Sequence, residues 1–522
     1  MSASRRTDES PPNAAPSLAA HRASLAWQLA WRNATWRPWR SFLLCAGFGV
    51  GVGVMIVLLA VGEAMVRQAS QERLVGGGDV TVLPEGIDIE VLTTGGLGGL
   101  FFSVPNARFV HRQVLTSPRA QDIIGAVAPQ LESKLLYVTT ADGVEHAVRA
   151  SGEIPSVTAQ LGVLPRVTSG AWGDDDGDRR WTNPTAAELR HDIDHFHAPP
   201  RGMQAPENWG EWHYFNILSP DAKKWAFVSF IVGGDVTGSL WGGQLLVTLH
   251  ERGKAPRRFT ARVPRERVRF SQFDADVRIG ESSVRVLDDG RYAVKAALQE
   301  EGSGAPLRVD FVLTPEPRVD FPGATIVSGD FASGYAVPGL RATATGTLCV
   351  REACDRYDHA QAYHDHNWGG WRGVTWEWGA TRAGAYTLLY GRVAPEDSSS
   401  GIASLFVYLT DSLGFLALFR PSQMRYDDAR TVMTTSGVLK VPARAELFDV
   451  RDGDTLRLTV TIDDAVATDT RLAYAERGES AGQVRALRRP WFVQMAGEAD
   501  LGGRVRGVPL SGRGRGFFET YR

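Results

Sequence analysis

The sequence predicts a mainly β protein: two antiparallel, barrel-like lobes in tandem, preceded by a single transmembrane helix and a small α+β or linker region. Three observations carry this reading. At 522 residues the chain exceeds one ordinary domain. Residues 42–62 form an uncharged apolar run near the N-terminus. From His191 onward, short β-branched or aromatic segments alternate with Gly, Pro and Asp turns.

Residues 1–24 are rich in Ser, Ala, Pro and Arg, lack periodicity and read as a disordered tail, so that 1–40 make a tail and interfacial segment. The run FLLCAGFGVGVGVMIVLLAVG follows, inside an expected helix over 41–66. At ~1.5 Å per residue it is long enough to cross a hydrocarbon core of ~30 Å. A cleaved signal peptide is the rival reading, but the run leads into Glu63 and Arg67 rather than a small-residue cleavage site. Arg5, Arg6, Arg22, Arg32, Arg37 and Arg40 precede the span, and Trp27, Trp31, Trp36 and Trp39 mark its edge as an interfacial belt. Positive charge before the span predicts single-pass anchoring in a bacterial inner membrane, with the N-terminus cytoplasmic and the main body periplasmic.

Residues 67–190 read as an extracytoplasmic segment and linker. The Gly-rich stretch 94–99 lacks the Lys-Ser/Thr of a phosphate-binding loop. The acidic stretch 174–178 is followed by Arg179 and Thr185, where a calcium loop needs Gly and Glu, so it reads as a solvated loop. Beyond it, segments such as 225–230, 259–263, 284–287, 307–313, 375–378, 386–390 and 456–462 carry the strand pattern. Their number suits two lobes, 191–355 and 356–522, with a junction near 340–360.

A formal net charge of −2 gives no global attraction to nucleic acid, which is not an expected partner. Trp is abundant at 15 residues and belongs in interfaces and π-rich pockets. Cys349 and Cys354 flank four residues and could face each other across a hairpin; a bridge and a pair of thiols both fit that spacing.

The densest chemistry lies in Tyr363-His364-Asp365-His366-Asn367-Trp368, with Trp371, Trp376 and Trp378 just beyond. On a strand, His364, His366 and Trp368 share one face while Asp365 and Asn367 point the other way. The same period-two logic is read in Asp192-Ile193-Asp194-His195-Phe196-His197, and Glu211, Trp212, His213 and Tyr214 add a carboxylate, an indole, an imidazole and a phenol.

Together DIDHFHAPP (192–200), NWGEWHYFN (208–216), AQAYHDHNWG (360–369) and GRGFFETY (514–521) resemble the hydroxyneurosporene synthase (carotenoid 1,2-hydratase) family and its AttH-type lipocalin-like relatives. That resemblance implies two lipocalin-like lobes with a site at or between them, and in one branch the addition of water to a terminal C=C bond of a carotenoid. The chain departs from the family pattern at Tyr390-Gly391-Arg392, where the family has Tyr-x-Asp, and a fixed cation there disfavours a neighbouring carbocation. Near the N-terminus, LAWRNATWRPWRSFLL and LVGGGDVTVLPEG resemble the first helix and domain entry of a MacB/FtsX-type ABC transporter permease, over about residues 25–165. No later apolar run approaches membrane length, so ABC transporter subunits are expected as partners rather than as part of this chain.

Alkene hydration needs a proton donor, π-faces for the cation and a placed water. Asp365 or His366 is the expected donor, Trp368, Trp376 and Trp378 the walls, and His364, Asn367 and Tyr390 the positioning groups. Trp371, Trp212, Tyr214, Glu211, His195 and His197 complete the expected ligand contacts. A metal held by His364, His366 and one of His195, His197 or His213 is chemically possible. The adjoining Asn-Trp is a hydrogen-bonding neighbourhood, so neither metal nor cofactor is expected. The bland alternative makes these side chains satisfied core residues. Two functions follow: a hydratase-type enzyme, or a tethered module presenting apolar cargo to an ABC-type exporter. Both require an elongated apolar ligand, isoprenoid or lipid.

Overall fold

The computed structural model describes residues 18–71, 104–162, 172–199, 203, 205–328, 331–371, 373–395, 405–434, 436–471 and 489–522. The Gly-rich stretch 94–99, the permease-like entry 74–86 and tail residues 1–17 lie outside these. Two compact units divide the chain, Met1–Thr81 and Val82–Arg522.

In the first unit a helix spans Leu18–Trp36, so the end of the expected tail is helical; its Ala, Leu and Arg content favours that conformation. Pro38 disfavours helical backbone at Arg37 and restarts the helix as its first residue, giving Pro38–Gln71. Pro38–Val61 is long and apolar enough to cross a membrane.

The second unit is dominated by antiparallel strands. Among the described residues they form a 12-stranded sheet, a 9-stranded sheet and two separate hairpins. The larger sheet closes on itself. Its path runs through Pro306–Pro315, Phe331–Val350, Ala353–Gly370, Trp209–Leu218, Lys224–Gly234, Trp241–Glu251, Arg257–Pro264 and Tyr292–Glu300, and the last strand pairs with the first. Alternation drives the closure: along Tyr292–Glu300 and Pro306–Pro315 the buried positions are Tyr292, Val294, Ala296, Leu298, Leu307, Val309, Phe311 and Leu313. The disulfide Cys349–Cys354 closes the turn between Phe331–Val350 and Ala353–Gly370.

The strand that carries the cluster ends at Gly370, and the next strand, from Val374, belongs to the other sheet. The smaller sheet then begins at Val374–Ala383 and includes Tyr386–Pro395, Trp491–Val505 and the C-terminal Val508–Tyr521 around its own core. A third cluster, with Tyr214, Tyr335 and Tyr363 of the first lobe against Trp378, Phe406 and Phe517 of the second, packs the lobes together.

Two local expectations are corrected. Residues 192–197 are not a strand. Thr185 and Glu188 form a capping box that starts the helix Ala186–Asp194, and the backbone turns extended only at His195. Likewise the acidic stretch is a helix start: Asp175 caps Asp176–Thr182, and Asp174 accepts bonds from the Ser156 amide and hydroxyl.

Candidate functional site

Register between Ala353–Gly370 and Trp209–Leu218 sorts the cluster into two faces. His364 lies opposite Phe215, His366 opposite His213 and Trp368 opposite Glu211, while Asp365 lies opposite Tyr214 and Asn367 opposite Trp212. Cross-strand partners share a face, so the strand presents two imidazoles and the Trp368 indole to the interior of the first lobe, and the Asp365 carboxyl and Asn367 amide, beside Trp212 of the neighbouring strand, to the second.

The interior face is an ionic network. His366 Nε2 is 2.7 Å from Glu211 Oε1, and its Nδ1 is 3.4 Å from Asp194 Oδ1. His364 bonds the Tyr214 carbonyl through Nδ1 and Asp194 Oδ2 through Nε2, both at 3.0 Å. Tyr292 donates its hydroxyl to Asp194 Oδ2 at 2.6 Å. Glu211 accepts the His197 amide and faces its Nδ1 at 3.3 Å. Burial alone would push Asp194 up, but His364 and His366 beside it hold it well below the usual carboxylate range. Glu211 is likewise lowered against its burial by His197 and His366. His366 runs the other way: burial opposes its charge, yet contacts with Asp194 and Glu211 raise it to about 9. Burial pulls His197 down to about 4 and His213 well below the ordinary imidazole range.

Stacking fixes these rings. His213 lies 4.2 Å from His366 and Phe215 4.2 Å from His364, both nearly parallel. Trp368 lies flat on His197 at 3.5 Å. Its indole has room because residue 334 is glycine; a Cβ there would meet Trp368 Cε2 at 2.2 Å.

The opposite face opens on a cavity of about 200 Å³ between the lobes. Trp212, Tyr214, Asp365 and Asn367 line it from the first lobe, and Trp371, Trp376, Trp378 and Glu519 complete the wall. Tyr363 donates to Asp365 Oδ2 at 2.7 Å and Asn367 to Oδ1 at 2.6 Å, while Trp378 Nε1 donates to the Tyr363 hydroxyl at 3.0 Å. Burial raises Asp365 to about 8. Glu519, held by Trp376 Nε1 at 2.9 Å, is raised to about 7 for the same reason. The Tyr214 hydroxyl lies near enough to Glu519 and Asp365 to feel their charge, without closing a hydrogen bond by distance and angle.

The expected residues therefore separate. Asp365, Asn367, Trp371, Trp376, Trp378, Trp212 and Tyr214 meet at the cavity. His364, His366, Trp368, Glu211 and His197 meet behind the strand, and His195 bonds the Asp192 carbonyl and packs on His197. Tyr390 sits in the second-lobe core, 6.2 Å from Phe518, and does not line the cavity. Arg392 pairs with Glu377 at 3.8 Å and is not among the cavity's lining residues. Glu519, Asp194 and Tyr363 were missed as site residues, although all three lie within the motifs that carry the family resemblance. Only position in the fold separates them from their neighbours.

No protein-family model matches the chain, and no curated protein does. Among solved structures it is similar to a candidate AttH from Nitrosomonas europaea, with 17% identity and a TM-score of 0.41 over 62% of this chain and 98% of that one. It is also similar to kievitone hydratase from Nectria haematococca, at 11% identity and a TM-score of 0.39 over 63% and 94% of the two chains. CghA with Sch210972 matches at 12% identity and a TM-score of 0.36 over 63% and 94%.

Proposed function

We propose that the protein binds an apolar, unsaturated molecule in the cavity between its lobes. The carrying observation is the wall itself, with Trp212, Trp371, Trp376 and Trp378 around about 200 Å³. An apolar cavity of ~150 Å³ takes a benzene-sized guest. A void only slightly larger suits an aromatic ring or one end of an isoprenoid chain, so an elongated ligand enters by its end. Indole faces favour π-rich groups and developing cations.

A second reading, water addition to a C=C bond, is favoured by two carboxyls that reach this cavity from different lobes, Asp365 and Glu519. One gives its proton to an alkene carbon, water bonds to the resulting cationic carbon, and the other, as carboxylate, takes the water's proton. Glu519, held at about 7, is partly protonated at neutrality. His366 points away from the cavity, so the donor role expected of it passes to these carboxyls.

The apolar helix supports single-pass anchoring, and a periplasmic location for the lobes suits the Cys349–Cys354 bridge, which an oxidising space maintains. A role beside an ABC-type exporter rests on the permease-like residues alone. The test is to titrate the full chain, in detergent, with conjugated polyenes and small aromatics while following Trp fluorescence, and then to look for a product heavier by one water. Quenching that saturates supports binding, a labelled product from H₂¹⁸O supports hydration, and no quenching by either ligand class overturns the reading.

A further inference from the structure

We propose that Asp194, His213, His364 and His366 form a binding site for one divalent transition-metal ion of the zinc class inside the first lobe. This departs from the expectation that the chain holds no metal. That expectation leaned on the hydrogen-bonding character of Asn367, and Asn367 faces the other side of the strand.

Four features converge. First, Asp194, His213 and His364 each offer a ligand atom, and these atoms lie within 4.8 Å of one another in the buried interior. Imidazole with carboxylate is a donor set that suits Zn²⁺.

Second, among the described residues Asp194 Oδ1, His213 Nδ1 and His366 Nδ1 are buried without a hydrogen-bond partner, the Asp194–His366 ion pair falling short of a hydrogen bond. A buried polar atom without a hydrogen-bond partner is destabilising, and a single cation satisfies all three. Asp194 Oδ1 and His366 Nδ1 are 3.4 Å apart. Two atoms each ~2.1 Å from one ion at a tetrahedral angle stand about that far apart.

Third, two of the three imidazoles and the carboxylate carry the outer contacts that ligating groups need. His364 Nδ1 is engaged by the Tyr214 carbonyl, which only accepts, so Nε2 is the nitrogen turned toward Asp194. His366 Nε2 is engaged by Glu211, leaving Nδ1 on the Asp194 side. Asp194 Oδ2 is fixed by Tyr292. A metal-bound imidazole almost always gives its other nitrogen to a carbonyl or carboxylate, which sets tautomer and ring orientation.

Fourth, a void of about 10 Å³ adjoins Asp194, Glu211 and His213. That is about the space one water needs, and it supplies a position for a solvent ligand. An ion here would staple the end of helix Ala186–Asp194 to strands Trp209–Leu218 and Ala353–Gly370, which is a structural role. The site faces away from the Trp-lined cavity, so metal loss and ligand loss are separate outcomes.

The test uses the full chain in detergent. Metal content is measured by plasma mass spectrometry as purified, after chelation, and after dialysis against Zn²⁺ or Co²⁺. One ion per chain, visible Co²⁺ ligand-field bands and a thermal midpoint that falls on chelation and returns on reloading are expected. Asp194→Asn and His213→Gln should abolish stoichiometric binding, and Glu211→Gln should weaken it ~10–100-fold. Should these variants fail to fold, the unaltered chain still decides. No stoichiometric ion before or after reloading, with a midpoint indifferent to chelator, means that the cluster is held by protons alone and overturns the proposal. A bound ion that survives both ligand substitutions places the metal elsewhere and overturns it too.

Discussion

Asp365 and His366 are adjacent in the chain but belong to different sites: the Asp365 carboxyl lines the interlobe cavity, while the His366 ring lies between Asp194 and Glu211 inside the first lobe. The strand pleat separates them by turning successive side chains to opposite faces. Substitutions at the two positions should therefore have different phenotypes, one in ligand handling and one in stability and metal content.

Trp212 lines the cavity and leans on Trp371, with ring centroids 4.5 Å apart. Trp212→Leu should weaken binding of a saturating polyene or aromatic ligand ~10-fold, about 1.4 kcal/mol of lost ring contact. Unchanged affinity by fluorescence titration would place the ligand somewhere else.

Glu519 gives a pH dependence with a defined sign. Its carboxyl titrates at about 7 in the folded chain, against 4.5 for an ordinary Glu. A carboxyl raised by folding contributes stability that is complete below its unfolded value and lost as pH rises through the folded one. Stability should fall by roughly 3 kcal/mol between pH 4.5 and 8 on this account, and affinity for a neutral apolar ligand should fall above pH 7 as charge enters the cavity. Glu519→Gln should flatten that part of both profiles. Asp365 and Tyr214, which face Glu519, remain and set the residual slope. Denaturant melts of the two proteins across this range make the comparison.

Gly334→Ala should destabilise the first lobe by ~1–3 kcal/mol, because the new Cβ meets the Trp368 ring. Displacing Trp368 also unstacks His197. Wild-type stability in this variant would mean that the indole has another resting place.

The Cys349–Cys354 bridge closes a short loop, five residues apart in sequence. Cys349→Ser with Cys354→Ser should cost ~2 kcal/mol on the chain-entropy account of loop closure. Because the bridge lies at the far end of the hairpin from Asp365, ligand affinity should hold. A parallel loss of binding would show that the hairpin turn is coupled to the cavity.

Patterning within the sequence determined much of this molecule. An uncharged run near the N-terminus implies the long apolar helix, short β-branched segments among turns imply the antiparallel sheets, and period-two alternation separates His364, His366 and Trp368 from Asp365 and Asn367. Those properties are local, since pleat and helix pitch act over a few residues. Composition could not show where the faces lead. His364 and His366 meet Asp194 from the end of a helix, and Asp365 meets Glu519 near the C-terminus, because barrel closure and lobe packing bring distant segments together. The capping pair Thr185 and Glu188 was legible in residues 185–188, but the alternating look of 192–197 suggested a strand, whereas the helix runs on to Asp194 and only the residues from His195 are extended. Burial decided the rest. Whether a carboxyl is held near 7, as at Glu519, or well below the carboxylate range, as at Asp194, depends on the charges and the water that folding leaves beside it.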